Sequence, residues 1–181
     1  MKELVKIEDK VFKPYIINAD IEAAIDEVAE KINEDYRGTG KCPIILCVLE
    51  GSLIFTAELL KRLDFPCELM SVKVSSYAGT ESTGDVKQLM GLARSIEGKD
   101  VIVCEDIVDT GNTLEAMKPY LLSKGASAVK FCTLLLKPES FKKDFPIDYV
   151  AMEIENKFIV GFGLDYNQMG RNLADIYQIS E

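Results

Sequence analysis

Short apolar runs alternate with segments of helical period along this chain, and this alternation restricts the fold more than any other feature. A continuous apolar run occupies residues 42–49, and strand-like segments occupy residues 67–74, 100–104, 128–136, 149–154 and 158–164. Apolar side chains recur at helical spacing in residues 18–36 and 52–63, and a further helix runs to about residue 123. Strands that alternate with helices pair in parallel, so the sequence predicts an α/β fold with a mostly parallel sheet.

Length and composition favour one globular domain over residues 1–181. The chain is 48% apolar, which is enough to build a real core at this length. Its five cysteines are odd in number and contain no C-x-x-C pair, so we expect reduced thiols. The first ten residues carry no apolar signal region, and no segment approaches eighteen continuous apolar residues. These features predict a cytoplasmic protein that does not enter a membrane.

The balance of charged residues excludes several classes of function. A net charge of -9 argues against non-specific binding to nucleic acid or to an anionic membrane, since both favour a basic surface. The chain contains no histidine, which excludes Ser-His-Asp and Cys-His catalysis and histidine-ligated zinc. Any general acid or base must therefore be a carboxylate, lysine, cysteine or tyrosine.

The stretch VIVCEDIVDTGNTL at residues 101–114 combines acids with a potential anion site. Glu105, Asp106 and Asp109 follow a buried strand, where three acids repel one another unless something cationic joins them. The turn at residues 110–113 precedes a helix, so free N–H groups and the positive end of the helix dipole favour a phosphate there. The acids are the groups that hold Mg²⁺. The stretch predicts a substrate that carries both hydroxyls and phosphate.

The same stretch resembles the phosphoribosyl pyrophosphate signature of the purine phosphoribosyltransferases. Three further segments are similar to the hypoxanthine-guanine phosphoribosyltransferases: residues 48–52, residues 75–77 with 82–85, and residues 157–167 followed by Arg171. The resemblance implies the type I fold, a parallel-sheet core with a small hood. It also implies Mg²⁺-dependent transfer of ribose 5-phosphate from phosphoribosyl pyrophosphate to hypoxanthine or guanine, giving IMP or GMP and pyrophosphate.

The resemblance also assigns the residues that act on the ribose and the phosphate. Asp109 corresponds to the proposed base at purine N7, and Glu105 and Asp106 lie beside the ribose hydroxyls. The 5-phosphate is bound by the backbone and hydroxyls of Thr110, Gly111, Asn112 and Thr113. The metal-site acids are Glu105, Asp106 and Asp165.

A second group of residues is assigned to the purine and to pyrophosphate. Lys137 contacts the exocyclic oxygen at C6, Phe158 stacks on the base, and Ile159 reaches it through its backbone. Arg171 contacts pyrophosphate. The loop at residues 75–88 closes over the site and brings in Ser76 and Tyr77. Without the resemblance, Lys137 is better interpreted as a surface lysine, Phe158 as a core aromatic, Asp165 as a turn residue, and Arg171 as a surface partner of Glu153 or Asp175.

The segment Leu49-Glu50-Gly51-Ser52 departs from the family pattern at one position. In the family this loop binds pyrophosphate through backbone N–H groups, often with a cis peptide bond that does not precede proline. Many members have a basic residue where this chain has Glu50. A backbone role for Gly51 survives that change, whereas a side-chain salt bridge from residue 50 to pyrophosphate does not.

Two other classes of function and two finer properties stay open at this point. A regulator that uses the same fold to bind nucleic acid needs a basic face, which the net charge disfavours. A receiver-type switch phosphorylated on aspartate leaves the turn at residues 110–113 without a role. The preference among hypoxanthine, guanine and xanthine is not determined by the sequence. The family forms homodimers and homotetramers, and the sequence does not choose between them.

Overall fold

The structure, a computed structural model, describes residues 3–74 and 91–180. Along the chain its elements are β1 (Val5–Ile7), β2 (Lys10–Ile16), α1 (Asn18–Tyr36), β3 (Ile44–Leu49), α2 (Leu53–Leu60), β4 (Glu68–Lys73), β5 (Asp100–Val108), α3 (Asn112–Ser123), β6 (Ala128–Leu136), β7 (Tyr149–Glu153), β8 (Ile159–Val160) and β9 (Ile176–Ile179). Ser76 and Tyr77, which the resemblance assigns to a closing loop, lie outside the described residues.

The larger sheet has five parallel strands in the order β4-β3-β5-β6-β7. The chain runs from β3 to β4 at one edge and then returns to β5 on the other side of β3. The strand order therefore reverses between β3 and β5, where Cys47 lies opposite Cys104. At such a reversal the connections leave the carboxyl ends of the strands in opposite directions and open a crevice for a ligand.

Alternate residues of the central strands supply an apolar layer on each face of this sheet. Ile45 and Ile102 pack with α1 and α2 on one face, whereas Ile44 and Val101 pack with α3 on the other. A strand that is covered on both faces needs apolar residues at every position. This requirement explains the continuous apolar runs in the sequence.

The smaller sheet joins the two ends of the chain in the antiparallel order β1-β2-β9-β8. It has its own apolar cluster, which includes Phe12 and Val160. Asp175, just before β9, accepts a 2.7 Å hydrogen bond from the backbone N–H of Asn18 at the start of α1. This carboxylate caps a helix that has no side-chain cap of its own, and so links the small sheet to the core.

The predicted α/β fold with a parallel-sheet core and a small hood is confirmed, and the small sheet is the hood. Helix 18–36 and strand 128–136 match the structure at both ends. The predicted strand at 100–104 is too short, because β5 continues to Val108 by pairing with β6. The predicted strand at 158–164 is too long, because Gly161 and Gly163 have φ of +105° and +100° and end β8.

The sequence did not predict β1, β2 or β9. β2 contains Pro14, which lies beside a register shift and lacks the N–H that a regular ladder uses. β1 and β9 are short and have no strong alternation. In the described ranges, none of the helices combines the length and the apolar character that a membrane span requires.

Candidate active site

The acids of residues 101–114 lie at the carboxyl end of β5, beside the strand reversal. Glu105 is 8% exposed, and burial followed by the neighbouring charge of Asp106 raises its pKa well above the ordinary value. Burial also raises the pKa of Asp106, although the Ile107 N–H and the Arg171 guanidinium partly offset this effect. Both carboxylates are poorly compensated in the described residues. A positive charge on a ligand would relieve both of them.

The turn that follows β5 forms an anion cradle at the start of α3. Gly111 has a φ of +79°, and its carbonyl accepts the first helical hydrogen bond from the Glu115 N–H at 3.0 Å. Within the described ranges, the N–H groups of residues 112–114 have no hydrogen-bond partner, and α3 has no side-chain cap. These groups line a cavity of about 120 Å³ together with Glu105. An oxyanion placed there would satisfy them.

Packing also requires glycine at position 111. A Cβ on Gly111 would lie 2.6 Å from a ring carbon of Phe141, well inside van der Waals contact. Phe141 belongs to the segment between β6 and β7, where its ring packs edge-on against Phe145. The Phe141 ring therefore packs directly against Gly111 of the cradle. Sequence reasoning missed this role, because nothing in the pattern around Phe141 connects it to Gly111.

Asp109 and Lys137 come together from neighbouring strands. Lys137 directly follows β6, and its backbone N–H donates to the Val108 carbonyl at 2.9 Å. Its Nζ lies 3.0 Å from Oδ2 of Asp109, with the lysine side chain 10% exposed and the aspartate 48% exposed. Lys137 is therefore not the surface lysine that the pattern alone suggested. The Lys137 ammonium and the Asp109 carboxylate therefore place a cationic donor and an anionic acceptor side by side.

Phe158 and Ile159 form an edge of the hood. Phe158 is 47% exposed, and its ring is supported by Phe12 at 6.2 Å and, edge-on, by Tyr166 at 5.8 Å. It is not the fully buried core aromatic of the simpler interpretation. The Phe158 carbonyl accepts from the Ile179 N–H at 2.9 Å. Because bonded and non-bonded pairs alternate in antiparallel sheets, the N–H and C=O of Ile159 point to the outer edge of β8.

The loop after β3 packs tightly against both β5 and the hood. The Leu49–Glu50 peptide bond is cis, which agrees with the family pattern. A Cβ on Gly51 would lie 1.7 Å from Oδ2 of Asp106, and a Cβ on Gly163 would lie 2.1 Å from the Gly51 carbonyl oxygen. Two glycines therefore allow the loop after β3 to lie against the Asp106 carboxylate on one side and the hood backbone on the other. Sequence reasoning identified Gly51 and missed Gly163, although the repeated glycine at 161 and 163 was a visible signal.

Charged groups from three segments meet beside this loop. Asp165 Oδ1 lies 2.7 Å from Nη2 of Arg171, whose Nη1 donates to the Gly163 carbonyl at 2.7 Å. Asp165 Oδ2 also accepts from the Gln168 N–H at 2.8 Å, so the residue forms a turn as well. Glu50 lies 3.1 Å from Nζ of Lys73 and 3.8 Å from Arg171. Arg171 thus pairs with Asp165 and Glu50, and Lys73 is a further residue that sequence reasoning missed.

The predicted metal ligands Glu105, Asp106 and Asp165 are not arranged as a complete protein cage. In residues 3–74 and 91–180, no three or more His, Cys, Asp or Glu side chains are positioned to hold a metal ion. Mg²⁺ is usually bound through one or two carboxylates together with substrate phosphates. The buried Glu105 and the partly buried Asp106, both with raised pKa and next to Asp165, fit an ion that arrives with its substrate.

Comparisons with known proteins find relatives that are similar over nearly the whole chain. The family of the phosphoribosyl transferase domain matches residues 15–167. A hypoxanthine-guanine phosphoribosyltransferase of Streptococcus thermophilus is 42% identical over 176 residues, which cover 97% of each chain. The crystal structure of such an enzyme from Bacillus anthracis is 37% identical with a TM-score of 0.86, and covers 93% of this chain and 98% of that one. A hypoxanthine phosphoribosyl transferase of Trypanosoma cruzi is 34% identical with a TM-score of 0.87, and covers 97% and 95%.

Proposed function

The chain belongs to the phosphoribosyltransferase family and, within it, to the hypoxanthine-guanine phosphoribosyltransferases of purine salvage, and on that premise we propose its reaction in full. It transfers ribose 5-phosphate from phosphoribosyl pyrophosphate to N9 of hypoxanthine or guanine in the presence of Mg²⁺. The products are IMP or GMP and pyrophosphate. The observation that carries this proposal is the sequence of groups at the end of β5: two acids with raised pKa, the Asp109–Lys137 pair and an anion cradle.

The ribose 5-phosphate is held between the cradle and the acids. The unpartnered N–H groups at the start of α3 and the hydroxyls of Thr110 and Thr113 bind the 5-phosphate. Glu105 and Asp106 accept hydrogen bonds from the ribose hydroxyls. As the bond from C1′ to pyrophosphate breaks, positive charge develops on the ribose, and the two poorly compensated carboxylates stabilise it.

The Asp109–Lys137 pair recognises one edge of the purine. In a 6-oxopurine, N7 and O6 are adjacent on the same edge. Lys137 Nζ and Asp109 Oδ2, 3.0 Å apart, can contact that edge together. The ammonium donates to O6, whereas the amino group of adenine would meet it with a second donor. This arrangement selects 6-oxopurines.

The hood covers the remaining surfaces of the base. Phe158 offers a half-exposed ring for stacking, held in orientation by Phe12 and Tyr166. Ile159 offers its backbone N–H and C=O at the edge of β8. These backbone groups can form hydrogen bonds with the edge of the purine that lies opposite N7.

Asp109 acts as the general base in the transfer step. The lone pair of N9 forms the new bond to C1′ while the electron pair of the breaking C1′–O bond leaves with pyrophosphate. The proton on N7 passes to the Asp109 carboxylate, and the purine becomes neutral in the nucleotide. Lys137, 3.0 Å away, orients this carboxylate until the base is in place.

The leaving pyrophosphate lies beside the loop after β3. In the described ranges, no group accepts a hydrogen bond from the Gly51 N–H, which is therefore available to the anion. Arg171 supplies a guanidinium that is already fixed by the Gly163 carbonyl. Glu105, Asp106 and Asp165 are the residues that would hold Mg²⁺. Mg²⁺ bound by these residues would supply positive charge against the negative charge that develops on pyrophosphate.

Identification of the products with and without Mg²⁺ tests this proposal. Purified protein is incubated with phosphoribosyl pyrophosphate and hypoxanthine or guanine, and the nucleotides are separated by anion-exchange chromatography. We expect IMP and GMP in the presence of Mg²⁺ and almost none with a chelator. Formation of neither nucleotide by folded protein that still binds phosphoribosyl pyrophosphate would contradict the proposal and favour a regulatory role.

The proposal includes assembly as a homodimer or homotetramer. Leu53 in α2 and Leu69 in the edge strand β4 are more than half exposed and lie beside a mostly apolar cavity of about 330 Å³. In the Trypanosoma cruzi relative, the C-terminal region has a role in the oligomeric state and the enzymatic activity. Sedimentation equilibrium would measure the mass of the assembly. A monomer at micromolar concentration would contradict this part of the proposal.

A further inference from the structure

Glu50 holds two cations at the place assigned to the leaving group. Its carboxylate lies 3.1 Å from Nζ of Lys73 and 3.8 Å from Nη2 of Arg171. Lys73 first and Arg171 second keep the pKa of Glu50 below its ordinary value, so the group is ionised at neutral pH. The Glu50 carboxylate is thus a single negative charge shared by these two cations.

The two contacts of Glu50 connect the loop after β3, the end of β4 and the segment before β9. Lys73 ends β4 and lies in register with Leu49 at the end of β3. Arg171 comes from the segment before β9 and is held independently by Asp165 and by the Gly163 carbonyl. Glu50 is therefore not required to keep Arg171 in place. Its carboxylate bridges a cation of the core sheet to a cation of the hood segment.

We propose that Glu50 is an internal substitute for the leaving pyrophosphate and that Lys73 is a further pyrophosphate-binding residue. The inference deepens the proposed function and rests on it. Without ligand, the Glu50 carboxylate neutralises Lys73 and the outer side of Arg171. When the diphosphate group of the substrate arrives, it takes over both cations, and the Glu50 side chain turns away into solvent.

Replacement of Glu50 by pyrophosphate is favoured because the Glu50–Lys73 ion pair is weaker than the contacts that pyrophosphate can make. The Glu50 and Lys73 side chains are 48% and 50% exposed, and ion pairs of such exposure are weak. Pyrophosphate carries several negative charges and many more acceptor oxygens than one carboxylate, so it binds both cations more strongly. Glu50 nevertheless remains nearby and repels the bound anion. It therefore lowers the affinity for pyrophosphate and favours its release as product.

Calorimetric titration of the protein with pyrophosphate, at fixed ionic strength and with and without Mg²⁺, tests this inference. For Glu50→Gln we expect the Kd to fall about fivefold, the scale of one half-exposed charge pair. For Lys73→Gln we expect the Kd to rise about tenfold, because a cation is lost and Glu50 is left without its partner. The double variant should return to within about twofold of the unmodified protein, because both effects are removed together.

Glu68→Gln is the matched control on the same strand. Glu68 begins β4, where it pairs with Lys99 at 3.0 Å, at the opposite end of the sheet from Lys73. This variant removes the same charge at similar exposure but far from the crevice. It should leave the Kd of pyrophosphate unchanged. Thermal melting of all variants checks that each is folded, and the exposed positions make a loss of folding unexpected.

Each outcome separates this inference from the proposed function. If Glu50→Gln behaves like Glu68→Gln, Glu50 is an ordinary surface acid and the inference is wrong. If Glu50→Gln weakens pyrophosphate binding, Glu50 supports the site instead of competing for it, which also overturns the inference. Neither outcome affects the proposed reaction, because nucleotide formation by the unmodified protein is measured separately. If the unmodified protein makes no nucleotide but shows the expected shifts, the anion exchange stands and the reaction does not.

Discussion

The loops after β5 and after β3 lie side by side at the strand reversal but hold their charges in different ways. At the end of β5, Glu105 is buried with a raised pKa, and in the loop that follows, Asp109 is paired with a lysine that is itself buried. After β3, Glu50 is half-exposed with a pKa lowered by Lys73. At the end of β5, poorly compensated acids are held in a fixed structure. In the loop after β3, the Glu50 carboxylate is compensated by a weak ion pair with Lys73 that a ligand can replace. We infer that the ribose and purine sites are preformed and that the pyrophosphate site is adjustable.

The largest expected effect comes from the fixed loop. Asp109→Asn removes the proposed acceptor for the N7 proton while keeping the size of the side chain. We expect kcat with hypoxanthine to fall by about 10²–10⁴-fold, the range for loss of a general base. Affinity for phosphoribosyl pyrophosphate, measured by calorimetry, should change little because the proposed contact of Asp109 is with the purine. Near-normal turnover would remove Asp109 from the mechanism.

Lys137→Gln should have the next largest effect, on the choice of purine. The neutral amide leaves Asp109 without its partner and weakens recognition of O6. We expect kcat/KM for hypoxanthine to fall about 10–100-fold, as for loss of a charged hydrogen bond worth about 1.5–3 kcal/mol. The discrimination against adenine should decrease in the same variant. Lys99→Gln, which removes an exposed lysine at the opposite end of the sheet, is the control and should change neither quantity.

Gly111→Ala tests whether packing makes the cradle rigid. The added Cβ would meet the Phe141 ring at 2.6 Å, in a backbone with a φ of +79°. Gly40 has a similar φ of +71°, and no atom lies within 4 Å of the position that its Cβ would take, so Gly40→Ala reports the backbone strain alone. We expect Gly111→Ala to lower the free energy of unfolding by about 1–3 kcal/mol more than Gly40→Ala. Equal losses in urea denaturation would show that Phe141 adjusts freely.

The smallest expected effects are those of pH on stability, and they have opposite signs in the two loops. The folded pKa of Glu105 is raised, so its contribution is present below its ordinary pKa and is lost as pH rises through the folded value. The folded pKa of Glu50 is lowered, so its contribution is present above the ordinary pKa and is lost as pH falls through the folded value.

Urea denaturation of two variants across pH 3–8 would measure this difference. Relative to the unmodified protein, Glu105→Gln should become more stable as pH rises, and Glu50→Gln should become slightly less stable. The Glu50 difference should be close to the error of the measurement, because both members of its ion pair are half-exposed. If the free energy of unfolding of both variants shifted with pH in the same direction, relative to the unmodified protein, the opposite pKa shifts of Glu105 and Glu50 would be contradicted.

The sequence predicted the loop after β5 much better than the loop after β3. Residues 105–113 are contiguous, so strand, acids, glycine turn and helix start are all visible in one short stretch. The Glu50–Lys73 pair joins residues 23 apart, and Gly163 meets Gly51 from the far end of the chain. Such contacts depend on strand order, which one sequence does not display. Strands β2 and β9 of the hood were missed for the same reason, since they pair with each other from the two ends of the chain.

The rate of pyrophosphate release from phosphoribosyl pyrophosphate, measured with hypoxanthine, guanine and adenine in turn, tests the central claim most directly. A preformed Asp109–Lys137 pair predicts Mg²⁺-dependent release with hypoxanthine and with guanine, and rates with adenine at least about a hundredfold lower, the penalty for an unmatched buried polar contact. Xanthine, added as a fourth base, would measure the preference at C2. Release at similar rates with adenine and hypoxanthine would contradict the claim that this pair reads the edge of the purine.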